Sequence, residues 1–221
     1  MWHSLRLLYS LGLILPLIAG IGQAGAWLEP VGQGFSATTA TVRQGGRTEL
    51  SYYATYGLRP RLNLGVDLNR GQNYAHAFVF LRQPLGDQNL ASKWAVELGA
   101  GGLKVDGIWM PALRGSLSFG RGLTGSVSGW IAADFTFETN QITRQRTYKL
   151  DATLGIRPNT GPAHLLQFES NRTGSHATSY SLTPALLFPL PYAQSEGLLG
   201  LSFSPARKDR LGLKLGLWHR F

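Results

Sequence analysis

The sequence predicts an all-β chain, closed as a transmembrane antiparallel up-and-down β-barrel of about twelve strands, and three observations predict it. Apolar and polar residues alternate over one segment after another, which is the period of a strand and not of a helix. Only 15% of the residues are charged, against roughly 25% in ordinary soluble domains. Beyond residue 25 no apolar run approaches the roughly 20 residues that a spanning helix needs. The apolar residues are dispersed, as strands would disperse them.

The N-terminus reads as an export signal. Met1–Arg6 carries one firm positive charge, residues 7–21 are mostly apolar, and Ala24-Gly25-Ala26 offers a small-x-small cleavage site before Trp27. Residues 1–26 are therefore expected to be a cleaved signal peptide, leaving 27–221 as a single barrel domain. An exported chain without cysteine takes its rigidity from something other than disulfides. Closing a sheet on itself, so that every backbone group is paired, supplies it.

The strands follow in order. Over 61–69, Leu62, Leu64, Val66 and Leu68 alternate against Arg61, Asn63, Gly65, Asp67 and Asn69 without an error. The last segment repeats this, with Leu211, Leu213, Leu215 and Leu217 against Arg210, Gly212, Lys214 and Gly216. Strands are expected near 34–42, 47–56, 61–70, 75–83, 92–101, 108–119, 124–138, 146–157, 163–171, 176–188, 196–204 and 209–221. Pro111, Pro184 and Pro205 interrupt the pattern and leave ten or fourteen strands as alternatives. With an even number, both termini fall on the periplasmic side. The connections near 43–46, 71–73, 104–107, 139–143, 172–174 and 205–208 then face outward. All are short, which argues against an adhesin or a large-ligand receptor.

If the apolar phase faces lipid, the aromatics fall into two girdles at headgroup height. Trp109, Phe135, Phe137, Tyr148 and Tyr180 approach the outer ends of their strands, and Tyr56, Trp94, Phe119, Phe188 and Phe221 the inner ends. The opposite phase lines the lumen, with Arg47, Glu49, Arg61, Asp67, Arg82, Lys93, Glu97, Arg114, Asp134, Lys149, Asp151, Glu169, Arg210 and Lys214 as the candidates. Their signs nearly balance, so the groups either pair into a closed interior or line a narrow pore without strong ion preference. Many small residues on that phase, among them Gly65, Gly99, Ser116 and Ser118, leave volume for water.

Of 21 bases and 12 acids, Arg6 alone precedes residue 27, so the remainder keeps 20 and 12, a net charge of +8. The bases are scattered and form no block of the kind that nucleic-acid arms carry, so nucleic acid is not expected as a partner. Arg43, Arg70, Lys104, Arg144, Arg146, Arg172, Arg207 and Lys208 are expected to face the phosphates of lipopolysaccharide at the outer rim. Outer-membrane lipids are thus the expected partners.

The final segment, Leu211-Gly212-Leu213-Lys214-Leu215-Gly216-Leu217-Trp218-His219-Arg220-Phe221, resembles the C-terminal assembly signal of bacterial outer-membrane β-barrels. In that class a terminal Phe, here Phe221, follows apolar residues at every second place, with a Gly five residues upstream, here Gly216. His219 stands where an aromatic such as Tyr is usual. The resemblance implies location in the bacterial outer membrane and recognition by the barrel-assembly machinery. Within the class, Tyr56-Gly57-Leu58 followed by Arg61-Leu62-Asn63-Leu64-Gly65-Val66 is similar to the strand-turn-strand repeat of small outer-membrane transporters of the phenol-degradation MetA-pathway type.

Catalysis and cofactors find little support. Some twelve-stranded barrels hydrolyse lipid with a Ser nucleophile and a His base at the outer rim. Here His76 and His176 would lie near that rim, but neither has a Ser two residues away on its own face. No metal site, nucleotide loop or cofactor is expected from five dispersed histidines and no cysteine. The function expected is a narrow passive channel or transporter for small solutes, with a non-conducting structural barrel as the alternative and an outer-membrane lipid hydrolase third.

Overall fold

The computed structural model describes residues 25–72, 74–125, 128–191 and 194–221. The signal peptide expected over 1–26 lies outside them, except for Gly25 and Ala26. The described chain is all-β: β1 (Gly34–Arg43), β2 (Thr48–Arg59), β3 (Leu62–Arg70), β4 (Tyr74–Leu85), β5 (Ser92–Val105), β6 (Ile108–Leu123), β7 (Ser128–Asn140), β8 (Arg146–Arg157), β9 (Ala163–Thr173), β10 (Ser179–Pro189), β11 (Ser195–Phe203) and β12 (Leu211–Arg220). Each strand pairs antiparallel with the next, and β1 pairs with β12, so the sheet closes into a twelve-stranded barrel. Closure leaves no free edge, which is how a sheet can stand in lipid with its backbone satisfied.

The strands settle the count that the prolines had left open. Pro111 lies inside β6 opposite Gly102, and Pro184 inside β10 opposite Leu166. Pro111 keeps a ladder bond through its carbonyl, which accepts from the Gln141 amide at 2.8 Å. β6 runs on to Leu123, and β10 begins at Ser179, later than the alternation suggests.

The alternation places the apolar phase outside. Leu98, Leu117, Val79, Leu150, Leu201 and Leu213 are all exposed on the barrel wall. So are Trp109, Phe135, Tyr148 and Tyr180 toward one rim, and Tyr56, Trp94, Phe188 and Phe221 toward the other. A wall this apolar cannot face water without great cost, whereas lipid costs it nothing.

The start of β1 and the end of β12 meet at one rim, the terminal rim. The Gly34 amide donates to the Phe221 carbonyl at 2.6 Å, and the Phe221 amide to the Gly34 carbonyl at 3.0 Å. Before β1 the chain does not leave the barrel. Residues 25–33 turn into its mouth, where Val31 forms a parallel bridge with Gly57 beside the β2–β3 register shift at Gly57 and Arg59. Only glycine fits there, because a Cβ on Gly57 would overlap the Pro30 carbonyl.

Candidate functional site

The interior is built in three levels. At the terminal rim, Trp27 from the N-terminal strap packs with Trp130, Leu165, Leu187 and Leu198 in one buried cluster, with Trp218 against it. Trp27 is 7% exposed and Trp130 1%. Gly120 forms part of the seat, since a Cβ at that position would overlap the Trp27 ring. Gly25 lies against Asp134 and Ser118 in the same way, but it belongs to the expected signal peptide, so Trp27 is the first strap residue that a cleaved chain keeps. The strap thus places an apolar cluster inside the terminal end of the barrel.

At mid-height, β3–β6 carry a packed ionic layer. Register sets Arg82 opposite Glu97, and their side chains meet at 2.7 Å. Arg114, one strand on, reaches Glu97 at 3.3 Å and also pairs with Asp67. Asp67 in turn lies 3.1 Å from His76 Nε2. The two guanidiniums lie over aromatic faces, Arg82 at 5.2 Å from the Phe80 centroid and Arg114 at 5.6 Å from that of Phe78. Such stacking suits Arg, whose planar cation is weakly hydrated. Every charge in this layer has an opposite charge beside it, so the layer exerts little net field on the lumen.

The facing wall differs. Asp134 stands opposite Asp151, and Asp151 opposite Glu169, so three carboxylates form one interior row across β7, β8 and β9. Ser118 donates to Asp134, and Lys214 bonds Glu169 at 2.9 Å and Gln167 at 3.1 Å. Asp151 is exposed to the water-accessible interior and has no ion pair among the described residues. Lys149, next on the same strand, is engaged with Glu138 at 2.7 Å. The wall that meets water is therefore acidic.

Other residues singled out in the sequence fall at the rims. Glu49 faces inward near the far rim, where Arg43 and Arg207 reach it at 3.4 and 2.7 Å. Arg47 and Arg210 sit in the far-rim connections, Arg47 at 4.0 Å from Asp209. Arg61, with φ of 67°, occupies the β2–β3 turn and donates to the carbonyls of Pro84 and Gly86. Lys93 donates to the Gln88 carbonyl at the terminal rim. The mid-height lumen is thus lined by Asp67, Arg82, Glu97, Arg114, Asp134, Lys149, Asp151, Glu169 and Lys214.

Among the rim bases, Arg43 corrects the expectation that it faces lipopolysaccharide. Alternation puts Val42 on the outer wall, turning Arg43 inward, where it is 7% exposed and donates to Ser204 at 3.2 Å. Arg207 is held by Glu49 and Asp209. Arg144 and Lys208 lie in far-rim connections, and Arg70, Lys104, Arg146 and Arg172 stand on the outer wall at the far rim. Gly216 and Phe221 occupy the expected places in and just after β12, the Phe221 ring stacking on His219 at 5.9 Å.

His76 serves the ionic layer and His176 lies in the β9–β10 connection. A different Ser–His contact, invisible to spacing within one strand, arises across β11 and β12. Ser195 Oγ lies 2.9 Å from His219 Nδ1 at the terminal rim. The register of the barrel's last hairpin creates it. Among the described residues no carboxylate lies within ion-pair distance of that imidazole, which a hydrolytic triad would need to orient it.

The backbone superposes on the COG4313 outer membrane channel from Pseudomonas putida F1 with a TM-score of 0.55 and 10% identity, over 91% of this chain and 100% of that one. This is the fold of a bacterial outer-membrane β-barrel. A looser superposition is on OpdO of Pseudomonas aeruginosa, at a TM-score of 0.40 and 13% identity over 88% of this chain and 67% of that one. A BenF-like porin from Pseudomonas fluorescens Pf-5 superposes at 0.40 and 9%, over 83% and 59%. No family model and no curated protein matches the sequence of this barrel.

Proposed function

We propose that the chain is exported, loses residues 1–26, and forms a narrow passive channel in the bacterial outer membrane for small solutes, with a preference for cations. The apolar outer wall supports the membrane location, and the barrel shares its fold with an outer membrane channel. The observation that carries the preference is Asp151, exposed in the interior between Asp134 and Glu169 and without an ion pair among the described residues. Paired charges cancel, so selectivity falls to the charges that meet water without a close partner. Asp151 is the foremost of these.

The strap sets the resting conductance. With Trp27 seated, the terminal end is closed by the apolar cluster, and solutes pass only when the strap shifts. This favours a second reading, in which the barrel is structural and does not conduct. Planar-bilayer recordings of the purified protein separate the two. The channel reading expects small discrete steps that grow with Trp27→Ala, and a cation-to-anion permeability ratio lowered by Asp151→Asn. Folded protein that stays silent both with and without Trp27→Ala makes the barrel structural. Hydrolysis of added phospholipid, lost in Ser195→Ala, would turn the reading to an enzyme.

A further inference from the structure

We propose that the far rim holds a phosphate of lipopolysaccharide, clamped between Arg70 and Lys104. The inference rests on the outer-membrane reading, which puts this rim in the outer leaflet, and it narrows the anionic contact to one place.

Register makes the place. Leu50 pairs with Arg70, Arg70 with Ala75, Ala75 with Lys104, and Lys104 with Trp109. These five residues stand abreast on β2–β6, all on the outer wall. Strands lie about 4.8 Å apart, so the two bases rise roughly 9.6 Å apart. Between them stands only the methyl group of Ala75, too short to keep them from converging on one anion. Arg offers a planar fork and Lys a point charge, the pair of donors that phosphate oxygens accept best.

Both bases are free to bind. Arg43 and Arg207 are committed to Glu49, and Arg47 lies at the limit of ion-pair distance from Asp209. Arg70 and Lys104 make no ion pair among the described residues. A cleft of about 680 Å³ opens beside them, within the roughly 300–1,000 Å³ of ordinary ligand clefts. Arg47, Arg70 and Lys104 line it against the single carboxylate of Asp106. The cleft is therefore cationic.

Its position selects a lipid over a soluble anion. Leu50 lines the cleft, and the wall continues toward the membrane through exposed Tyr52, Leu68 and Val79. Trp109, at the end of the row, is half exposed at the height where indole rings favour headgroups. A ligand seated here has its charge at the rim and its acyl chains on the wall, which describes the phosphorylated glycolipid of the outer leaflet.

The test measures binding of bisphosphorylated lipid A to the purified barrel in detergent, by native mass spectrometry. The R70Q/K104Q double variant is expected to bind about 30-fold more weakly, roughly fivefold per base. R121Q removes an outer-wall base near the opposite rim and is expected to leave binding unchanged. Dephosphorylated lipid A is expected to bind the wild type no better than lipid A binds the double variant. Equal binding by the double variant, or an equal loss with R121Q, overturns the clamp. Displacement of lipid A by millimolar inorganic phosphate assigns the site to free phosphate and overturns the lipid. Membrane fractionation and heat-modifiable migration of the same variants report separately on whether the protein is an outer-membrane barrel.

Discussion

Single residues here act through what they face. Glu97 is held between Arg82 and Arg114, with its side chain 1% exposed. Removing it leaves two guanidiniums in a packed interior with one acid fewer. Breaking a buried pair from one side costs about 3–5 kcal/mol. Glu97→Ala is therefore expected to lower the unfolding free energy by about that amount, measured by urea denaturation in lipid vesicles. Asp151, one of the water-facing acids, is expected to behave in the opposite way. Asp151→Asn should leave the urea midpoint within error while shifting the reversal potential under a salt gradient. If both substitutions changed stability alike, the division into a packed wall and a water-facing wall would be wrong.

The elements that matter most are the strap and the last strand. Within the strap, Glu29 is 7% exposed and lies 4.0 Å from Arg220. Burial raises its carboxyl above the ordinary glutamate value, against the opposing pull of Arg220 and Arg82. A released strap would have Glu29 at its ordinary value of about 4.3. The docked strap thus holds its proton to higher pH than the released one. Docking is fully favoured below the released value and weakens as pH rises through the docked one. Channel openings are expected to become more frequent as pH is raised across the window above about 4.3. Glu29→Gln is expected to abolish that dependence and keep the strap docked, which single-channel records at several pH values would show.

The last strand carries the closing contact. Phe221 exchanges two backbone bonds with Gly34, and β12 pairs with β1 along Phe35 to Arg43. Deleting Phe221 removes that terminal pair together with the residue that resembles the assembly signal. Deletion is expected to reduce the amount of heat-modifiable protein in the outer membrane, compared by gel migration of boiled and unboiled samples. Full recovery of the folded band would show that closure and assembly proceed without it.

For the whole molecule, the sequence by itself determined which residues face lipid. Strict period two leaves a strand such as 62–70 only one way to bury its polar side, so the outward face of that strand was legible from Leu62, Leu64, Val66 and Leu68, and the same alternation in the other segments made the wall legible. The terminal strand was legible for the same reason. Three things were decided only by the tertiary structure. Near-equal numbers of inward acids and bases suggested a lumen without preference, but closing the barrel gathers Arg82, Glu97, Arg114 and Asp67 into mutual contact and leaves Asp134, Asp151 and Glu169 together on the opposite wall. Residues after the expected cleavage site had no period to read, so nothing in the sequence announced that Trp27 would turn inward and join the buried cluster at the mouth. The row of Arg70, Ala75 and Lys104 joins residues on three strands, and Ser195 meets His219 across a hairpin. Alternation assigns a side chain to a face of its own strand. Which neighbours it meets there depends on the register between strands, and register exists only once the sheet has closed.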